Sequence, residues 1–190
     1  MGLFILAGLL RKAGWRVSLI DCLDRFHPML PSSDPGKRNG RGPYLKTEIA
    51  KPKPLADVDR KFSRYGIEPQ WFEKHIGAME PPDLIVVTSL MTYWYTGVQE
   101  TIGVIRRTWP DPPLVLGGIY ASLCEKHARY HSGADQVVTG PGEKAILDLA
   151  AEIAGGQAIS DFDPLALDSY PYPAFDLQHR INYLPLLTSR

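Results

Sequence analysis

PPDLIVVTSLMTYWYTGVQETIGVIRRTWPDPPLVLGGIYA, residues 81–121, decides the fold. Leu84 to Val87 is an uninterrupted apolar run, the pattern of a parallel strand buried on both faces. Behind it Val98, Ile102, Val104 and Ile105 recur at close to helical spacing. PPLVLGGIYA then reads as the next strand.

The alternation continues downstream. Ser122 to Tyr130 has helical character, ADQVVTG reads as another strand, and GEKAILDLAAEIAG is an amphipathic helix stopped by Gly155 and Gly156. Upstream, Leu3 to Ala13 predicts a helix with Arg11 and Lys12 in its last turn and Gly14 just past its end. WRVSLIDCLD follows, and Val17, Leu19 and Ile20 predict a strand. PQWFEKHIGAM predicts a short helix that docks Trp71 and Phe72 on the core. A β-α-β-α-β-α order implies an α/β fold with a doubly wound parallel sheet of flavodoxin-like type. Such a sheet normally opens with a strand. This chain opens on a helix, so the first strand is expected upstream of Met1.

Residues 1–157 are thus expected to form one α/β domain. Its insertion, at about 24–66, is rich in Pro, Gly and charge and is expected to be a long surface excursion. Residues 158–190 carry Pro and Asp turns without helical period and are expected to be a connector, with YLPLLTSR as a strand at its end.

Composition removes several classes. The 190 residues suffice for one domain, and Lys+Arg and Asp+Glu both number 21, for zero formal charge. That balance argues against nucleic acid or an anionic membrane as partner. No apolar run is long enough for a membrane span, and the apolar N-terminus lacks the basic region and cleavage site of a signal peptide. The two cysteines, Cys22 and Cys124, give no disulfide framework, so a cytoplasmic protein is expected.

In open α/β sheets ligands bind beyond the strand carboxyl ends. The candidates there are Asp21, Cys22, Thr88, Ser89, Leu90, Gly117, Gly118, Thr139 and Gly140, with Tyr120 following the glycine pair. Two adjacent glycines let a backbone pass close to a bulky ligand, though they equally suit a tight strand-to-helix turn. Met91, Tyr93, Trp94 and Tyr95 offer a soft, flat surface for a planar cofactor, or an aromatic cluster packed under a loop. Glu143 in GPGE fits the first turn of a helix, where a carboxylate meets the positive dipole end.

Metal and catalytic patterns are weak. Cys124, His127 and His131 could share a helix face, but no fourth zinc ligand accompanies them and a solvated face is expected. Cys22 lacks a partner for thiol catalysis. His27 reads as a loop histidine, and GKRNGRG as a solvated basic loop. There is no P-loop and no G-x-G-x-x-G.

GLFILAGLLRKAGWRVSLIDCLD, the stretch from VVTSLMTYWYTG to LGGIYASLCEKHA, and GADQVVTGPGE, in that order, resemble the N-terminal cobalamin-binding domain of radical S-adenosylmethionine enzymes. The subgroup includes methyltransferases and anaerobic cyclase-like proteins of tetrapyrrole synthesis. The resemblance implies a Rossmann-type cobalamin fold with the corrinoid on the strand carboxyl ends. Thr88-Ser89-Leu90 would match the family's Ser/Thr-x-Leu, and Gly117-Gly118 its Gly-Gly; both line the nucleotide tail. Tyr120, Thr139 and Gly140 would complete the cofactor-binding set. The D-x-H-x-x-G motif that supplies a lower cobalt ligand is absent, as is the C-x-x-x-C-x-x-C triad. The 4Fe-4S cluster and S-adenosylmethionine would therefore belong to a radical domain, joined in cis in a longer protein. This chain is expected to hold cobalamin without being a catalyst alone. The alternative is a non-catalytic interaction or substrate-recognition domain of the same fold that no longer binds cobalamin. A receiver-like signalling domain would need more acid than the single Asp21. An exposed strand edge could also support a homodimer.

Overall fold

The structure is a computed structural model that describes residues 2–30, 44–156 and 162–181. In chain order the elements are α1 (Gly2–Lys12), β1 (Lys46–Glu48), β2 (Ser63–Tyr65), α2 (Pro69–Gly77), β3 (Ile85–Ser89), α3 (Tyr95–Thr108), β4 (Leu114–Gly118), α4 (Ile119–Leu123), α5 (Glu125–His131), β5 (Gln136–Val137) and α6 (Glu143–Ile153). Short 3-10 turns join some of them.

β3, β4 and β5 form a three-stranded sheet in that order, parallel throughout. The register sets Thr88 beside Gly117 and Ser89 beside Gly118, so both strands end at one level. Strand alternation then sorts the core into two halves. Leu114 and Leu116 of β4 face one side with Val98, Ile102 and Ile105 of α3, Phe72 and Ile76 of α2, and Ala128 of α5. Val115 faces the other side with Leu9 of α1 and Ile146, Leu147 and Ala150 of α6. The helices lie on both faces of the sheet, which is the doubly wound α/β arrangement expected from the sequence. The apolar positions read at helical spacing in α3 are all buried. Phe72 is buried in α2, with Trp71 packed against the same core.

The predicted strand at Val17–Ile20 is not realised as a ladder. Residues 15–20 carry no regular secondary structure among the described residues. Trp15 and Val17 nevertheless pack on the α1–α6 side, while Ile20 and Cys22 pack on the α2–α3 side. Side chains reaching both helix layers place the segment at the level of the sheet. A ladder needs a partner at strand spacing, and in flavodoxin-like order the second strand pairs with the first. No such strand pairs with β3 among the described residues, so the segment is held mainly by apolar contact. The Trp15 N–H also donates to the Leu10 carbonyl at 3.0 Å, and Arg16 pairs with Glu80 at 3.1 Å on the surface.

The insertion contains structure that its composition hides. β1 and β2 pair antiparallel, Lys46 opposite Tyr65 and Glu48 opposite Ser63. Arg64 of β2 pins this ribbon to the domain by pairing with Glu68 and, at 3.3 Å, with Glu100 of α3. GKRNGRG lies outside the described residues. The helix expected over 122–130 is broken at Cys124 into α4 and α5.

The segment read as a connector packs against the domain where it is described. The Ala174 N–H donates to the Phe4 carbonyl at 2.9 Å, Phe175 meets Phe4 at 5.4 Å, and Arg11 pairs with Asp176 at 2.8 Å. Phe162 and Tyr170 pack on the α1–α6 core. YLPLLTSR lies outside the described residues.

At the amino end of the sheet Asp135 joins three elements. Its carboxylate accepts the Leu114 N–H at 2.7 Å and pairs with Arg106 of α3. Burial would push its pKa up, but the Leu114 N–H and the Arg106 guanidinium outweigh it and hold the carboxyl below its ordinary 3.8. Asp135→Asn is expected to cost about 1 kcal/mol, a modest figure because the group is half exposed. The sign follows from a depressed folded pKa. The advantage over Asn is fully present above 3.8 and disappears as pH falls through the lower folded value. Urea unfolding of both forms at pH 7 and at pH 2.5 checks this; equal midpoints at pH 7 would refute it.

Candidate functional site

The carboxyl ends of β3 and β4 meet at a contact that only glycine permits. Gly118 has φ 86° and ψ −166°, a conformation essentially restricted to glycine. A Cβ there would stand 2.3 Å from Thr88 Oγ1 and 2.9 Å from the Ser89 carbonyl oxygen. The two strand ends are therefore interlocked, main chain against main chain. Gly117 differs: the nearest atom to a Cβ would be the Val138 carbonyl oxygen at 3.8 Å. Gly118 serves the fold, whereas a Cβ on Gly117 would make only an ordinary van der Waals contact.

The two hydroxyls in Thr88-Ser89 also part company. Ser89 is buried, and its Oγ donates to the Met91 carbonyl at 2.9 Å, which closes the turn after β3. Thr88 is exposed, and its hydroxyl has no hydrogen-bond partner among the described residues. Thr88 is thus the hydroxyl free to meet a ligand.

Around this point lies an apolar rim. Leu90, Met91 and Tyr93 follow β3, and Ile119 and Leu123 belong to α4, which packs against β3 and the turn after it. Their exposure runs from 42% at Met91 to 73% at Leu123. Large apolar side chains left exposed near one end of a sheet are the kind of surface on which binding sites are built. The rim is an open platform. A separate hollow of about 340 Å³, between residues 48–51 and 59–62 of the insertion, is lined mainly by charged side chains.

Tyr120 stands apart from the other candidates. It is fully buried, its ring lies 6.3 Å from that of Tyr95, and its hydroxyl shares a 2.7 Å hydrogen bond with His127 Nδ1. Burial raises the pKa of the phenol, with Cys124 and Tyr95 adding to the effect, so it stays neutral. Trp94 and Tyr95 are partly buried, while Tyr93 stands out on the rim. Thr139 and Gly140 are exposed in the loop after β5, and the Gly140 N–H donates to Ser122 Oγ at 3.0 Å. No sequence pattern singles out Ser122. Its signal is a bond between residues 18 positions apart, which no local pattern encodes.

The remaining candidates have structural partners. Asp21 Oδ1 accepts the Leu23 N–H at 2.8 Å, a local turn. Cys22 is half-buried and its thiol is pushed up to about 12, first by burial and then by the Asp21 carboxylate. His27 stacks on Trp71 at 5.2 Å with planes 3° apart, and its Nδ1 accepts the Met29 N–H at 3.2 Å. His127 packs on Tyr95 and lies 4.6 Å from His131, ring to ring. No group of three or more His, Cys, Asp or Glu able to hold a metal occurs among the described residues. Glu143 opens α6 and is buried there, as read from GPGE.

A parallel three-stranded sheet flanked by helices on both faces is consistent with a Rossmann-like fold. Residues 65–150 match the family model of the B12 binding domain. The match takes in all eight candidate cofactor-binding residues, from Thr88 to Gly140. No curated protein and no solved structure matches the chain. Among the described residues no helix is long and apolar enough to cross a membrane.

Proposed function

We propose that this chain binds cobalamin on the platform formed by the ends of β3 and β4. The observation that carries the reading is the set of exposed apolar side chains on the turn after β3 and on α4, which packs on β3 and β4 where Gly118 meets Thr88. The residues fit a corrinoid. Gly117 admits close backbone approach without a crowded neighbour, the Val138 carbonyl being 3.8 Å from where a Cβ would stand, and Thr88 offers a hydroxyl with no competing partner among the described residues. Leu90 and Leu123 offer apolar surface, and Thr139 and Gly140 would border the ligand on the β5 side. The bound corrinoid would supply organometallic chemistry that the protein holds and tunes. The chain's own residues would bind and orient it.

We place this activity in a radical S-adenosylmethionine enzyme, with the iron–sulfur cluster and S-adenosylmethionine carried by a further domain. What supports this is the ordered resemblance of segments given above. The open edge of β3 would also suit pairing with a second copy of the chain.

The test is an absorption titration with hydroxocobalamin followed by desalting. Retention of about one corrinoid per chain is expected. Gly117→Ala is expected to fold within about 1 kcal/mol of the parent, because its methyl meets nothing closer than 3.8 Å. Its corrinoid retention is expected to drop about tenfold or more, since the methyl stands in the ligand's space. A folded protein that stays colourless would instead favour an interaction domain that has lost the cofactor.

A further inference from the structure

The loop after β5 is the least supported wall of the platform. β5 contributes only Gln136 and Val137 to the sheet, and beyond it the Val138 N–H still reaches the Leu116 carbonyl at 2.9 Å. Thr139, Gly140, Pro141 and Gly142 then lead into α6. Gly140 has φ +70°, and a Cβ there would meet no atom within 4 Å. No neighbour crowds the outer side of this turn at Gly140, and Pro141 has no N–H with which to anchor it.

α4 is firmly held by contrast. Its Tyr120 and Ala121 are fully buried, and it packs on β3, β4 and the turn after β3. Ser122 sits in this short helix, exposed, with its Oγ accepting the Gly140 N–H at 3.0 Å. That bond joins the loop after β5 to α4. Gly118, at the end of β4 just before α4, makes the contact with Thr88 and Ser89 of β3.

We propose that Ser122 is a positioning residue: its hydroxyl latches the Thr139–Gly140 turn to α4 and so sets the third wall of the platform. The latch itself stands on the geometry; only the identity of the ligand rests on the cobalamin reading. Ser122 is exposed and outside the core, so its loss leaves the fold standing and loosens one turn.

The experiment compares the parent chain with Ser122→Ala and Ser122→Thr. Amide hydrogen exchange of Gly140 in the ligand-free protein reads the latch directly, and hydroxocobalamin dissociation reads its consequence. Ser122→Ala is expected to speed Gly140 exchange and corrinoid release each about fivefold to tenfold, with the unfolding temperature little changed. Ser122→Thr keeps the hydroxyl and is expected to restore both. Unchanged Gly140 exchange in Ser122→Ala overturns the latch. Faster exchange with unchanged release overturns its role in the platform. A parent chain that binds no hydroxocobalamin overturns the cobalamin reading, and Gly140 exchange then decides the latch alone.

Discussion

Replacing Gly118 with alanine is expected to destabilise the protein by about 3–5 kcal/mol and to lower its unfolding temperature by about 10 °C. Two costs combine. The backbone at φ 86° and ψ −166° is open only to glycine, and forcing a Cβ into it costs about 1–3 kcal/mol. The added methyl would also stand 2.3 Å from Thr88 Oγ1 and 2.9 Å from the Ser89 carbonyl oxygen. The threonine rotamer can turn away, but the carbonyl belongs to the neighbouring strand and cannot move without opening the β3–β4 ladder. That ladder runs through the centre of the core, where Leu114, Val115 and Leu116 are almost completely buried. The platform would be lost with it, so corrinoid retention should vanish even in the fraction that folds. Thermal unfolding followed by circular dichroism checks the stability, with Gly117→Ala beside it as the control that adds the same methyl at an open position. Equal unfolding temperatures for the two variants would show that the strand ends are not interlocked as described.

Gly66→Ala is expected to act at the other end of the insertion, with a loss of about 3 kcal/mol and a newly reactive thiol. Gly66 is buried with φ +107°, and a Cβ on it would fall 2.2 Å from the Cys22 carbonyl oxygen. The same carbonyl accepts the Ile67 N–H at 2.8 Å. This is where the returning insertion docks against residues 15–22, a segment held by side-chain packing without ladder bonds. An obstructed carbonyl must shift, taking with it the Ile67 bond and the seating of Cys22. In the parent the Cys22 thiol, pushed up to about 12, holds almost no thiolate at pH 8. Each unit by which solvent access lowers that value raises the thiolate about tenfold. Reaction with an aromatic disulfide reagent, in a Cys124→Ser background, is therefore expected to be slow in the parent and many times faster in Gly66→Ala. Equally slow reaction in both would mean that the join tolerates the methyl and that the segment is held by something other than this contact.

Local pattern carried much of the architecture. The apolar run at Leu84–Val87 falls in a parallel strand, but one half-buried at the edge of the sheet among the described residues, not buried on both faces at its centre. The helical spacing of Val98, Ile102, Val104 and Ile105 and the place of Glu143 at a helix start are found as read. Each depends on the period of one element, and a period is written in consecutive residues. The glycine pair was legible as a place of close approach, but not the division of labour within it. A Cβ on one glycine would collide with the neighbouring strand β3, and on the other it would make only a loose contact with the Val138 carbonyl.

What the sequence by itself determined is the α/β alternation, the parallel sheet and the end of it where a ligand would sit. Tertiary structure alone decided the rest. Which of the two neighbouring hydroxyls is used locally was decided there: Ser89 donates to the Met91 carbonyl, while Thr88 has no hydrogen-bond partner among the described residues. Tyr120 enters the core because α4 packs on β3 and His127 returns to meet its hydroxyl. Residues 15–20 stay outside the ladder because pairing needs a neighbour as well as an apolar pattern. The segment from Phe162 to Arg180 lies on the domain because Phe4 and Arg11, more than 150 residues earlier, supply its contacts. Hydrogen bonds and contacts between distant residues depend on how the elements are brought together in space, and the period of no single element records that.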